Sequence, residues 1–378
     1  MASDTAFVRT SFVNPEAPPS RSSGPIAWIR RNLFGSPTDT VLTLLALLLL
    51  WWVVPPAYEF LIGKAIFFDP EHKLGEVCRI PDAGACWAFV VDRFDFFIYG
   101  FYPIPEHWRI NIVFVLMVVI IVPMLWPDLP FKAINIALFL VVLPVVSYFL
   151  IAGGVFGLEH VPTEKWGGLT VTLIVSIVGI TGSIPLGILL ALGRQSKLPV
   201  IKTFCVLFIE LWRAVPLITV LFMASVMLPL FLPQGTTIDK LLRALVGVTL
   251  FESAYLAEVV RGGLQALPRG QYEAADALGL NYWKRTVFII LPQALKHVIP
   301  GIVGNFISLF KDTSLIAIVG LFDLLNTIQN TTNGQDWKSA TTAQTGYITA
   351  AAIFWIFCFA MSRYARYWER RLDRSHRS

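Results

Sequence analysis

Long apolar runs separated by short polar or charged connections dominate the chain, and they set its class. Eight runs approach the roughly 20 residues that a helix needs to cross a bilayer core: about 40–62, 110–126, 133–155, 168–192, 204–232, 241–260, 293–320 and 347–367. Apolar and polar residues do not alternate within them, so they predict helices and not the strands of a barrel. The pattern therefore predicts an all-α membrane protein with about eight transmembrane helices.

Composition agrees with the pattern. With 56% hydrophobic and 15% charged residues and a mean hydropathy of +0.66, the chain of 378 residues has too little polar surface to cover a soluble globule. Its net charge of +5 is informative by position. If the N-terminus is cytoplasmic, segments 1–37, 127–132, 193–202, 261–297 and 363–378 hold 19 Lys and Arg residues, against 9 in 63–109, 156–168, 233–243 and 321–346. That bias predicts both termini, and segment 261–297, in the cytoplasm. The basic residues flank apolar runs and form no stripe interleaved with aromatics, so a nucleic-acid partner is not predicted.

These boundaries divide the chain. Residues 1–37, polar and rich in Pro and Ser, predict a disordered cytoplasmic tail. Residues 38–160 hold three helices with an outer segment at 63–109, in which Asp92, Phe94, Asp95, Phe96, Phe97 and Tyr99 suggest a folded aromatic cover. Residues 161–370 hold five more helices, with the charged stretch 268–292 between two of them, and 371–378 form a cytoplasmic tail. Cys205 and Cys358 fall in apolar runs as small fillers. Cys78 and Cys86 share the outer segment and can close a small loop in an oxidising compartment, or remain free. No His or carboxylate stands at ligand spacing with them, so no metal site is predicted.

The stretch EAADALGLNYWKRTVFIILP, Glu273–Pro292, does not read as a plain connector. Pro268 and Gly270 break the extension of the sixth helix. Gln271 to Leu278 then predicts about two turns with Glu273 and Asp276 toward the N-terminal half, favourable to the macrodipole. Gly279 ends the helix with a residue that tolerates a left-handed position. A second short stretch, Tyr282–Ile290, follows, and Pro292 suits the first turn of the seventh helix. The alanines leave little side chain on one face, so another protein's groove can approach closely, with Glu273 as a directional charge. The alternative is a pair of amphipathic helices resting on lipid, but such helices carry large apolar side chains and basic flanks.

The spacing EAA, three residues, Gly, nine residues, Ile, one residue, LP is met by Glu273, Ala274, Ala275, Gly279, Ile289, Leu291 and Pro292. It resembles the EAA loop of bacterial ABC importer permeases. The flanks SAYLAEVVRGGLQALPRGQ (253–271), LPQALKHVIP (291–300) and KDTSL (311–315) resemble the polar amino acid subfamily. The similarity covers about Trp166–Arg370. With three further N-terminal helices, the chain resembles the M-type permeases of the general L-amino-acid importers of Gram-negative bacteria.

That resemblance implies a five-helix type I importer (MetI-like) core in the bacterial inner membrane. It also implies partners: a cytosolic ABC ATPase dimer gripping the EAA helices, a second permease, homologous or identical, and a periplasmic binding protein delivering an L-amino acid. ATP and Mg would be used by the partner, with no cofactor on this chain. The sequence accords with this, since it contains no G-x-x-x-x-G-K-[ST] loop; Gly63-Lys64-Ala65 lacks the hydroxyl and the upstream glycine.

Charges within apolar runs cost a few kcal/mol each at a helix centre, so each needs a reason. Glu210 with Arg213, and Glu258 with Arg261, stand three apart, which suits mutual pairing or a gate. Glu252 is deeper and has no partner at helical spacing. Asn305, Lys311, Asp312, Thr313 and Ser314 form a polar group in the seventh run. A zwitterionic amino acid needs an acceptor for its ammonium and a donor for its carboxylate, which Glu252 and this group can supply. Alternatively, the group braces helix packing. An ion-coupled secondary transporter of amino acids would also use intramembrane acids, but would have no use for the docking segment. A membrane-anchored assembly factor would need no charge cluster.

Overall fold

The computed structural model describes residues 24–69, 74–125, 132–233, 235–236 and 238–375. The chain divides into two units. The smaller is built from residues up to Ala65 with Asp82–Ala85, and the larger from Ile66–Pro81 and the residues from Cys86 on.

In the smaller unit, α1 (Pro25–Leu33) leads into α2 (Pro37–Tyr58), which continues through a π-turn at Glu59–Gly63. Ser36 caps α2 by accepting from the Asp39 amide at 3.1 Å, and Pro37 occupies the first turn, where its missing N–H costs nothing. Leucine and tryptophan, among them Leu42, Leu48, Trp51 and Trp52, are exposed all around α2. That is the surface of a helix solvated by lipid. The expected irregular tail thus contains a helix at 25–33, whereas 1–23 lie outside the described residues.

The larger unit opens with α3 (Trp87–Tyr99), α4 (His107–Leu125), α5 (Lys132–Ala137) and α6 (Leu143–Ala152), the last two joined by a π-turn. Next come α7 (Gly168–Arg194), α8 (Pro199–Ala214), α9 (Leu217–Phe222) and α10 (Lys240–Ala266). The chain ends with α11 (Arg269–Ala277), α12 (Tyr282–Arg285), α13 (Leu291–Asp312), α14 (Leu324–Thr332) and α15 (Ala340–Ser375). The helix α15 runs through the start of the expected C-terminal tail, whose residues 376–378 lie outside the description.

Among the described residues, six helical stretches are long and apolar enough to cross a membrane: 37–63, 104–123, 134–152, 168–194, 282–319 and 340–371. A seventh appears if α8 and residues 217–231, bent by 101°, count as one span. The expectation was about eight, and the difference lies in α10. At 27 residues, or about 40 Å, α10 has the length. It carries Lys240, Arg243, Glu252, Glu258 and Arg261, and much of its surface is buried against other helices, so it needs no apolar exterior.

The fifth apolar run, which Pro216 interrupts, forms two pieces. Pro216 has no N–H and forces Val215 into extended backbone, φ −106° and ψ 133°, ending α8. Pro185, by contrast, lies inside α7 without ending it.

The axis of the larger unit is the pairing of α7 with α10, flanked by α13, which also packs on α15. Glycines permit the close approach: a Cβ on Gly182 would lie 2.7 Å from Thr249 Cγ2, and one on Gly187 3.0 Å from Leu256 Cβ. Without a hydrophobic drive between helices in lipid, such close van der Waals contact is what holds them.

Within the larger unit, residues 75–79 and 86–92 lie against residues 335–341. Cys78 and Cys86 are joined by a disulfide, their Cα atoms 5.8 Å apart. Arg79 donates to the carbonyls of Gln335 (2.9 Å) and Lys338 (3.2 Å), and Thr341 donates to the Cys78 carbonyl at 3.0 Å. Trp337, buried, packs on Phe89 with ring centroids 5.6 Å apart and donates its indole N–H to Asp92 at 3.1 Å.

Candidate functional site: a stitched turn and two charge clusters

At the end of α10, Leu267 is extended and Pro268 takes the N-cap position of α11. The helix therefore starts at Arg269, two residues before the expected Gln271, and Gly270 lies inside it. No acid occupies the first turn. Glu273 sits mid-helix and Asp276 near the C-terminus, so the expected macrodipole benefit is absent.

Asp276 is instead held by an ion pair. Arg285 Nη1 lies 2.5 Å from its carboxylate, and the same guanidinium stands 5.8 Å from the ring centroids of both Tyr272 and Tyr282. One arginine thereby fastens α12 to α11. Tyr272 ties the turn to α10 by donating to the Leu264 carbonyl at 3.2 Å. Burial pushes its hydroxyl above the ordinary tyrosine range, with Arg285 opposing, so it stays a neutral donor at physiological pH.

Gly279 ends α11 at φ +73°, with nothing within 4 Å of the place a Cβ would take. The amide of Leu278 returns to the Ala274 carbonyl (3.2 Å) and that of Gly279 to Asp276 (2.9 Å), which satisfies the last turn. Asn281 caps α12 by accepting from the Lys284 amide at 2.9 Å.

The alanines do not share one face. Ala274 and Ala277 are exposed with Glu273, whereas Ala275 is 1% exposed and faces inward. The outward surface is enlarged by Leu278, Trp283 and Phe288, all exposed, which the alanine pattern did not single out. Large apolar side chains beside Lys284 and Arg285 are also what helices resting on lipid carry, so this part of the surface suits lipid as well as a protein groove, and the small, acidic part at Glu273, Ala274 and Ala277 is what sets a docking face apart.

Pro292 lies in the first turn of α13, as expected, although α13 follows α12 without a break. Residues 282–319 form one continuous helical stretch, with a π-turn at Thr286–Ile290 in which the Leu291 amide bonds the Thr286 carbonyl. The widened turn sits just where Pro292 cannot donate to the helical ladder.

A second constellation lies where α7, α8 and α10 meet at this same end. Glu258 is within 2.8 Å of Arg194, 2.7 Å of Arg261 and 3.7 Å of Arg213. The spacing of Glu258 and Arg261 thus yields the intrahelical pair. Glu210 does not pair with Arg213; it meets Arg194 at 2.9 Å, and Arg213 stacks over Tyr255 at 5.5 Å. Arg194, the last residue of α7, bridges the two acids and was not among the expected members, because a basic residue in a short connection reads as topology.

The third constellation is deeper. Glu252 is 4% exposed, and its Oε1 has no hydrogen-bond partner among the described residues; the same holds for Asn305 Nδ2. Asp312, half-buried, lies close enough to act on Glu252 electrostatically, and Lys311 on Asp312. Thr313 and Ser314 spend their hydroxyls locally, donating to the Phe310 and Lys311 carbonyls. The carboxyl groups of Glu252 and Asp312, the amide of Asn305 and the exposed ammonium of Lys311 therefore remain as acceptors and donors for a charged solute.

Comparisons with known proteins place this geometry. Residues 183–374, which include all three constellations, match the family described as "Binding-protein-dependent transport system inner membrane component". The chain is 52% identical over 361 residues to the inner membrane amino-acid ABC transporter permease protein YhdY of Escherichia coli K12, covering 95% of this chain and 96% of that protein. It is 41% identical over 442 residues to the glutamate/glutamine/aspartate/asparagine transport system permease protein BztC of Rhodobacter capsulatus, covering 99% and 100%. The probable glutamine ABC transporter permease protein GlnP of Bacillus subtilis is 37% identical over 182 residues, 48% of this chain and 81% of that protein. The first two matches extend over nearly the whole chain, N-terminal helices included, whereas the third covers about half of it. The chain is a multi-pass membrane protein of the binding-protein-dependent transport system inner membrane component family.

Proposed function

We propose that the chain is the permease subunit of an ATP-driven ABC importer of L-amino acids. It works with a second permease, receives its substrate from a periplasmic binding protein, and docks a cytosolic ATPase dimer through α11 and residues 278–292. The observation that carries this is the stitched turn. Arg285 and Tyr272 fix α11 and α12 to the bundle, while Glu273, Leu278, Trp283 and Phe288 are exposed. A rigid, partly apolar protrusion at the end of a membrane bundle is a place where an external motor can apply force. The names of YhdY and BztC support the amino acid class.

On this reading the α11 end is cytoplasmic and residues 74–99 are periplasmic, in accord with the charge bias. The partner consumes ATP and Mg, since the sequence holds no phosphate-binding loop. Glu252, Asn305, Lys311 and Asp312 line the substrate pathway, and Thr313 and Ser314 shape its backbone. The ion cluster around Glu258 joins three core helices next to the turn and changes with their movement. An ion-coupled carrier would leave the exposed turn without a role.

The test is copurification. Glu273→Lys should leave the chain inserted at wild-type levels and lower recovery of the cognate ATPase at least about tenfold, which corresponds to about 1.4 kcal/mol of lost interface energy. Full recovery would overturn the docking assignment.

A further inference from the structure

A cavity of about 650 Å³ lies in the larger unit, between α4 and α6 on one side and α7 and the start of α10 on the other. It plays no part in the function described above. Its walls are apolar, with Met117, Leu143, Tyr148, Ile174, Ile177 and Leu245 contributing from all four helices. Along α7 it extends from Thr170 to Val178, about 12 Å at the helical rise. Its polar residues gather at one end, where His160, Thr163, Glu164 and Asp239 surround the mouth beside the buried Trp166.

We infer that this cavity is a binding site for one phospholipid, with an acyl chain between the helices and a zwitterionic, ammonium-bearing headgroup at the acidic mouth. Three features select that occupant. Water gains nothing among these walls, because a solvating molecule needs two to four polar partners. Groups the size of a water or a methylene take about 30 Å³ each, so the space holds on the order of 20, the scale of one acyl chain. A polar solute buried there would leave its charges unpaired.

The mouth chooses the headgroup. Asp239 is already engaged, accepting from the Leu242 amide at 2.9 Å and from the Thr163 hydroxyl. His160 donates Nδ1–H to the Ala152 carbonyl at 3.0 Å. Glu164 is exposed and has no ion pair among the described residues. Lys165 and Lys240, both exposed, follow these acids in the chain but do not line the cavity, so the charges that face it are the two carboxylates, which favour an ammonium over an anionic headgroup. Tyr148, 59% exposed on α6, stands on the wall with an aromatic ring suited to the membrane interface. A lipid held here would cement α4 and α6 to α7 and α10, an interface that protein side chains alone leave unfilled.

The test uses the assembled transporter, extracted in mild detergent from membranes containing phosphatidylethanolamine and phosphatidylglycerol, with retained lipid counted by native mass spectrometry. Wild type should keep one phosphatidylethanolamine per copy of this chain. So should Leu189→Trp, a control on an exposed part of α7 outside the cavity. Ile177→Trp on α7 and Ser147→Phe on α6 should each lose that lipid. Glu164→Lys, at an exposed position that does not bear on folding, should raise retention of phosphatidylglycerol over phosphatidylethanolamine at least fivefold. Absence of a retained lipid in wild type, or its retention in both filled variants, overturns the site. An unchanged lipid ratio in Glu164→Lys overturns the headgroup assignment. Disulfide cross-linking of an Ile177→Cys variant to a partner subunit would show protein in the cavity and would likewise overturn it.

Discussion

Gly279 and Glu258 show what single residues contribute. At φ +73° a β-branched side chain is strained even though the space beside Gly279 is open. Gly279→Val should destabilise the turn by about 1–2 kcal/mol, the cost of a left-handed residue, without touching the bundle. Its expected signature is normal insertion with at least fivefold less substrate-stimulated ATPase activity in the assembled complex. Glu258 and Glu210 differ in their surroundings: their side chains are 15% and 56% exposed, and Glu258 faces three arginines where Glu210 faces one. Exposed pairs contribute about 0.2–1 kcal/mol, whereas removing a half-buried hub leaves cations unpaired. Glu258→Gln should therefore lower the thermal unfolding midpoint more than Glu210→Gln does. Equal shifts would mean that the hub is only a solvated surface cluster. This cluster was half legible in the sequence, because spacing finds partners along a helix and is blind to Arg194, which arrives from another one.

Elements record where periodicity suffices and where it fails. The apolar runs located the span-forming helices closely, because lipid imposes both length and composition on a helix that faces it. One of the eight, α10, has the length of a span but a more polar composition, because it is buried by neighbours and is released from that rule. Hydropathy alone runs α8 and α9 together, but Pro216 inside that run marks the break, where the chain turns through 101°. The bounds of α11 were missed by two residues, since Pro268 can cap as well as break. The EAA spacing itself was legible throughout, with Gly279 at the left-handed position assigned to it. The disulfide between Cys78 and Cys86 closes a short loop at the base of α3, for which chain entropy supplies about 2–3 kcal/mol. Cys86→Ser should speed amide hydrogen exchange in residues 74–99 and 335–341 together, since hydrogen bonds from Arg79 and Thr341 join them. Faster exchange in residues 74–99 alone would show that the two segments are not one unit.

The whole molecule joins a family core to further N-terminal helices. The family match begins at residue 183, and the GlnP relative covers about half of this chain, yet YhdY and BztC align across nearly all of it. In the larger unit the added helices α4 and α6 meet the core around the cavity assigned to lipid, and residues 75–79 and 86–92 lie against the loop at 335–341. Force would enter through a turn held by Arg285 and presented by exposed residues. The most direct measurement of that claim is uptake of a labelled L-amino acid into proteoliposomes containing the purified permeases, ATPase and binding protein, with ATP inside or outside. Uptake should require ATP on the side of α11 and fall at least tenfold in Glu273→Lys at unchanged protein levels. ATP-independent uptake driven by an ion gradient, or wild-type uptake by that variant, would contradict it.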